Sequence, residues 1–171
     1  MSTVPASPAP APAPNLDLKL AALRDEGQPI LGPAAVFELS GKLPAFRIEA
    51  TDLHAASRKL RDAGFDYLLL ATATDHPAEN RFEMVYVLTN FSDAREIALV
   101  TNVNRNDPVI ETVSDIWETA DWHEREVYDL FGIRFTNHPD LRRILLDDTW
   151  EGHPLRKDYA DKVHNVIKRP Y

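Results

Sequence analysis

Cysteine is absent from this chain of 171 residues, and its absence excludes several kinds of site. Without thiolates the chain cannot form disulfides, ligate an iron–sulfur cluster through cysteine or build a cysteine-ligated zinc site. A Gly-rich phosphate loop is also missing, and no serine has the flanking glycines and nearby histidine of a nucleophile. The longest apolar run, residues 67–73, is far shorter than the roughly 20 residues that a membrane span needs. We therefore expect any redox centre that this protein serves to belong to other subunits.

Positive charge is scarce as well. The formal net charge is −8 and the isoelectric point about 5.2, which argues against nucleic-acid binding because phosphate contacts need a basic face. The N-terminus has neither the basic and apolar regions of a secretory signal nor the arginines of a mitochondrial transit peptide. We expect a protein of the cytosol that is attached to a larger assembly.

The composition divides the chain into three parts. Residues 1–14 are rich in proline and alanine and carry no charge, which predicts a solvated, polyproline-like leader that the protein can lose. A role as a spacer or as a ligand for a proline-binding module is the alternative. Residues 15–135 are predicted to form one domain, and residues 136–171 an extended tail that docks on a partner.

The periodicity of residues 15–135 predicts an α+β fold. Apolar patterning predicts strands at 36–39, 45–49, 65–73, 82–88 and 95–103. Helical spacing predicts helices at 16–26, 52–63 and about 117–131, which end at Gly27, Gly64 and Gly132. The last three strands have short connections, which indicates an antiparallel meander. We expect a mixed or antiparallel sheet of four to five strands with helices packed on one face, followed by an extended C-terminal segment.

The third predicted helix carries an unusual carboxylate. Glu124 lies one turn from both Val127 and Tyr128 and should face the apolar side of the helix. An unpaired carboxylate there would cost several kcal/mol, so we expect an ion pair with one of the later arginines, Arg134, Arg142 or Arg143. General acid–base chemistry by Glu124 is the alternative. On the same helix, Arg125 is predicted to pair with Asp121 and Asp129, one turn to either side.

Residues beyond Gly132 predict a surface that binds a partner. HPDLRR and HPLRKD resemble each other, and in both the proline forces an extended conformation on the histidine. Residues 152–171 carry a net charge of +3, so that the other 151 residues carry −11. A basic, extended tail suits an acidic groove, and its few apolar residues predict a small contribution to the core. The predicted interface residues are Arg142, Arg143, His153, Arg156 and Lys157.

A metal site is not predicted. His123-Glu124 matches the start of the zinc-protease helix motif, but position 127 is Val where the second histidine is required. His123, His138 and His153 recur every 15 residues, which is no recognised ligand spacing. We assign no catalytic, cofactor-binding or metal-binding residue. A self-contained enzyme that uses the ionisable cluster at 123–126 stays as an alternative.

The run WHEREVYDLFGIRFTNHPDLRRILLDDTWEGHPLRKDY closely resembles the signature of the C subunit, the 30 kDa type subunit, of the proton-pumping NADH–quinone oxidoreductase, respiratory complex I. The upstream segments RFEMVYVL and VSDIW fit the same family. The likeness covers about residues 43–159, and neither the leader nor the residues after Ala160 add to it.

The resemblance implies a structural and assembly subunit of the hydrophilic, quinone-module arm, peripheral on the cytoplasmic side of the inner membrane. It implies contact with the large D subunit of the quinone module, near the B subunit, which holds the terminal iron–sulfur cluster. It implies no cofactor bound by this chain, with FMN and iron–sulfur clusters in partner subunits. The complex transfers electrons from NADH to quinone and translocates protons. An equivalent subunit of a membrane-bound energy-converting hydrogenase or an F420-type dehydrogenase is the alternative.

Overall fold

The computed structural model describes residues 16–40 and 43–160, the first five of them by backbone alone. Predictions about the leader at 1–14 and about residues 161–171 therefore lie outside the described residues. The sheet and helices of an α+β fold are present, as the sequence predicts.

The main sheet has five strands in the order β1-β2-β5-β4-β3. The strands are β1 (Val36–Ser40), β2 (Leu43–Ile48), β3 (Tyr67–His76), β4 (Arg81–Asn90) and β5 (Arg95–Asn104). The predicted antiparallel meander of β3, β4 and β5 is confirmed, and β1 pairs with β2 in the same sense. Strands β2 and β5 are parallel, so the sheet is mixed.

The core lies on the side of the sheet that faces the helices. On β4 the alternating residues Phe82, Met84, Tyr86 and Leu88 are completely buried, as their period of two predicts. They pack in one cluster with residues of all three helices, α1 (Leu16–Leu31), α2 (Leu53–Asp62) and α3 (Thr119–Phe131). Helices on one face of the sheet therefore follow the prediction.

The predicted stop of α1 at Gly27 is wrong, because the helix continues to Leu31. A Cβ at position 27 would lie 2.5 Å from the ring of Phe46 on β2. Gly27 therefore allows the helix to approach the sheet closely, and Gly32, with φ of +91°, follows the actual end.

Two short strands were not predicted. β6 (Val109–Glu111) and β7 (Arg134–Thr136) form a separate parallel pair on either side of α3 in the sequence. β7 begins three positions after the end of α3, so this pairing sets the point from which the rest of the chain departs. β7 also extends one residue past the predicted domain boundary at 135.

Candidate functional site: the C-terminal segment along α3

The C-terminal segment, defined here as residues 137–160, contains no helix or strand and lies along α3. Near its start, His138 Nε2 is 3.3 Å from the backbone oxygen of Asp121, in the first turn of the helix. Near its end, Arg156 Nε donates to the backbone oxygen of Phe131, in the last turn, at 2.6 Å. The segment therefore runs parallel to the helix, from its beginning to its end.

Two residues in the left-handed conformation bring the chain to this position. Gly132 (φ +73°) ends α3, and its N–H donates to the Tyr128 oxygen at 2.9 Å. After β7, Asn137 (φ +63°) turns the chain back towards α3, in a conformation that asparagine tolerates better than most residues. The glycine stop predicted at 132 is confirmed.

Asp129 is the main anchor of the segment. Its side chain is completely buried, and Oδ2 accepts the N–H groups of Ile144, Leu145 and Leu146 at 3.1, 2.8 and 3.0 Å, while Oδ1 accepts from Arg143 Nη1 at 2.7 Å. Burial alone would raise the pKa of Asp129, but these hydrogen bonds outweigh it and hold the pKa below its ordinary value. The carboxylate is therefore ionised at neutral pH and fixes the turn at 143–146.

A second anchor joins the end of the segment to the sheet. Asp75 on β3 is buried, and it accepts from Arg105 Nε at 2.8 Å and from the Lys157 N–H at 2.8 Å. Arg105 also pairs with Asp158 at 2.5 Å. Burial would raise the pKa of Asp75, yet Arg105 and the Lys157 N–H outweigh it and lower that pKa.

Glu124 faces the apolar side of α3, as predicted, but its predicted arginine partner is wrong. Its Oε1 accepts the Val113 N–H at 2.8 Å, and Oε2 accepts from the Thr112 hydroxyl. The three candidate arginines pair elsewhere: Arg134 with Asp107, Arg142 with Asp140 and Arg143 with Asp129. Because the hydroxyl and the amide compensate only part of the burial, the pKa of Glu124 rises to about 7.

The structure gives the five predicted interface residues different surroundings. Three of them bond to the end of α3. Arg143 binds the Asp129 side chain, Arg156 binds the Phe131 backbone oxygen, and His153 Nδ1 lies 3.0 Å from the Asp129 backbone oxygen. Arg142 remains 70% exposed, and Lys157 uses its backbone on Asp75 and is exposed. Among the described residues, 152–160 add no member to the buried core, which agrees with the small contribution expected of residues 152–171. His153 and Arg156 nevertheless bond to the end of α3, and the interface role itself stays a prediction.

The ionisable cluster at 123–126 is not gathered into one site. Glu124 is completely buried, whereas Glu126 is exposed on another side of the helix. Arg125 is buried, and its predicted pair with Asp121 is present at 3.9 Å. Its predicted pair with Asp129 is wrong, because Asp129 pairs with Arg143 instead. Within residues 16–40 and 43–160, no three His, Asp or Glu side chains converge as metal ligands would.

The chain matches a known family over this region. The family described as respiratory-chain NADH dehydrogenase, 30 Kd subunit, matches residues 46–164, which include α3 and the whole C-terminal segment. The chain belongs to this 30 kDa subunit family. The resemblance seen in the sequence is thereby confirmed.

Several members of the family show how far the similarity extends. The C subunit of the NADH-quinone oxidoreductase of Moorella thermoacetica is 41% identical over 68% of this chain and 80% of that protein. The C subunit of Chloroherpeton thalassium is 39% identical over 75% of this chain, which spans 56% of that protein. A combined C/D subunit of Phocaeicola vulgatus is 43% identical over 68% of this chain and 23% of its own length.

Solved structures agree with the fold. The trypsin-resistant fragment (1-134) of Nqo5 superposes with a TM-score of 0.59 at 29% identity, over 74% of this chain and 98% of that one. A chain of the membrane-bound sulfane sulfur reductase, an archaeal respiratory membrane complex, superposes with a TM-score of 0.70 at 23% identity over 91% of this chain and 98% of that one. The second likeness concerns the fold alone. Among the helices described for this chain, none combines the length and the apolar character that crossing a membrane requires.

Proposed function

We propose that this chain is a structural and assembly subunit of the hydrophilic, quinone-module arm of NADH–quinone oxidoreductase, on the cytoplasmic side of the inner membrane. The observation that carries the proposal is the match over 46–164, which contains α3 and the segment held to it by Asp129. The assembled enzyme would pass electrons from NADH through FMN and iron–sulfur centres to quinone and translocate protons. This chain would bind no cofactor and would instead support the subunits that do.

The D subunit is the proposed main neighbour, with the B subunit close by. The Phocaeicola relative supports this choice, because its name joins C and D and its matched part is only 23% of its length. Two units in one polypeptide stay at high effective concentration, which suits units that bind each other. Lys157 is exposed towards such a partner, and Arg142 is 70% exposed although it pairs with Asp140.

An equivalent subunit of an energy-converting hydrogenase or an F420-type dehydrogenase is the competing proposal. The fold does not separate the two, since a chain of the sulfane sulfur reductase complex shares it. The relatives named as NADH-quinone oxidoreductase subunits, at 39–43% identity, favour the first proposal.

The test is recovery of partners from the native membrane. The tagged chain is purified from detergent-solubilised membranes, and the co-purifying proteins are identified by mass spectrometry. We expect the D and B subunits together with the flavin-binding NADH subunit, whereas hydrogenase subunits would support the competing proposal. The purified chain alone should show no iron, zinc or flavin, and turnover without partners would contradict the structural role.

A matched pair of variants sharpens this test. Asp129→Asn removes the charge that fixes the turn at 143–146, whereas Glu151→Gln removes an exposed carboxylate of the same segment. We expect the first variant to lose most of its co-purifying partners and the second to keep them. Equal recovery by both variants would show that the turn is not needed for assembly.

A further inference from the structure

Three large apolar side chains stand exposed on the surface formed by α3 and the C-terminal segment, and Trp122 and Leu145 are more exposed than the third, Leu155. Trp122 is 62% exposed and Leu145 is 61% exposed. Single exposed apolar residues are normal on protein surfaces and need no explanation. These two differ because buried charged groups hold each of them in place.

Leu145 is fixed by Asp129. Its N–H and those of the residues on either side all donate to one buried carboxylate oxygen. Such a bond to a charged group is among the stronger hydrogen bonds in proteins, so the backbone of this turn is rigid. A rigid turn therefore holds a leucine whose side chain is mostly in solvent, where it gains little from the fold of this chain.

Trp122 is fixed by Arg125. The guanidinium carbon of Arg125 lies 5.0 Å from the centre of the Trp122 ring, and the Arg125 side chain is only 6% exposed. Arg125 Nε also donates to the Arg142 backbone oxygen, at 3.5 Å. The same guanidinium thus joins the tryptophan to the segment that carries Leu145 and the exposed side chain of Arg142.

We propose that Trp122, Arg142 and Leu145 form one docking patch and that its occupant is the D subunit. The inference rests on the proposed function and adds to it the face of the chain that is used. Tryptophan and arginine dominate the energetic centres of protein interfaces, and side chains fixed before binding lose little entropy when they bind. The patch fits an apolar pocket for the two apolar side chains, with an acceptor for the N–H groups of Arg142 other than Nε, which donates to Asp140.

The course of the chain favours the D subunit as the occupant. The Tyr159 hydroxyl donates to the Glu151 oxygen at 3.3 Å, and Arg143 Nη2 donates to the Gly152 oxygen at 3.2 Å. The last described residues therefore lie beside the turn that carries Leu145. In a combined C/D protein, such as the Phocaeicola relative, a D portion that follows this point begins next to the patch.

Three single variants test the patch in the intact complex. Trp122→Ala and Leu145→Ala each remove one member, and Phe91→Ala removes an apolar side chain of similar exposure, 66%, at the end of β4. Each tagged chain is purified from solubilised membranes, and the D subunit is quantified relative to the chain. We expect at least a tenfold loss of the D subunit for the first two variants and no loss for Phe91→Ala, with melting temperatures near that of the unchanged chain.

Photocross-linking gives a second readout that requires no truncation. A benzophenone amino acid at position 145 is irradiated in native membranes, with position 91 as the control. A cross-link from 145 to the D subunit supports the proposal, and a cross-link to another subunit, or none, overturns it. If the unchanged chain retains the D subunit but both patch variants do so equally well, the patch is wrong and the proposed function stands. If the unchanged chain retains no D subunit, the proposed function fails as well.

Discussion

Substitution of Glu124 by glutamine should make the protein more stable at alkaline pH than the unchanged chain. Glu124 is completely buried, and burial raises its pKa from the ordinary 4.5 to about 7. The hydrogen bonds from Thr112 and Val113 lower this pKa, whereas the charges of Asp121 and Asp115 raise it further. The folded state therefore binds this proton more tightly than the unfolded state does. Stability from Glu124 is present below pH 4.5 and is lost as the pH rises to about 7.

The magnitude follows from the two pKa values. A difference of about 2.5 between them corresponds to about 3 kcal/mol in the free energy of unfolding, as an order of magnitude. Glutamine cannot ionise, has nearly the same volume and can still accept the Val113 N–H. We therefore expect Glu124→Gln to be within about 1 kcal/mol of the unchanged chain at pH 5, and more stable by about 2–3 kcal/mol at pH 8.

Guanidinium unfolding followed by tryptophan fluorescence measures both proteins at pH 5 and pH 8. The difference between the two proteins is the useful quantity, because other groups titrate in the same range. Burial lowers the pKa of His153, for example, so its contribution to stability rises with pH and opposes that of Glu124. A difference that does not change between pH 5 and pH 8 would refute the argument.

Three further substitutions test the contacts of the C-terminal segment. Asp129→Asn should lower the free energy of unfolding at pH 7 by about 2–4 kcal/mol, because bonds to a charged acceptor are worth about 1.5–3 kcal/mol each and do not add fully, whereas Glu151→Gln leaves the denaturant midpoint unchanged. Arg156→Ala should lower the melting temperature by about 4–8 °C, because it loses the bond to the Phe131 oxygen and the stacking over the Phe82 ring. Calorimetry measures this shift, and the exposed control Lys157→Ala should show none. Gly132→Ala should cost at least about 1–2 kcal/mol, because it strains a left-handed residue and its Cβ meets the His153 ring; a variant that unfolds at the same denaturant concentration would contradict the assigned packing.

The main sheet was predictable because its strands carry a local signal. The alternation of Phe82, Met84, Tyr86 and Leu88 with partly exposed residues marks β4 without reference to the rest of the chain. β6 and β7 are three residues long, and each gains its partner from a segment more than 20 residues away. No window of the sequence around either strand shows a period, so their pairing could not be predicted from it.

The site was harder to predict because its strongest contacts are not local. The spacing of one helical turn offers Arg125 to Asp129, but the carboxylate binds residues 143–146 instead, where three N–H groups and Arg143 satisfy it together. The strand predicted at 65–73 ends before Asp75, which is instead a buried residue of β3 that binds Arg105 and the Lys157 N–H. The charged motif in the sequence identifies the C-terminal segment. It does not show which of its charged residues pair within the chain, because that depends on how the chain folds.

A pKa near 7 in a region rich in histidine would ordinarily suggest a catalytic acid or base. For Glu124 the surroundings argue for a structural role. Both carboxylate oxygens are occupied by groups of the loop before α3, and the side chain has no exposed surface through which a substrate could reach it. The shift is the result of burial that two neutral donors compensate only in part, since no arginine pairs with this carboxylate among the contacts described. Trp122, Arg142 and Leu145 are exposed on the surface of α3 and the C-terminal segment, and their chemistry suits binding to a protein surface rather than bond cleavage.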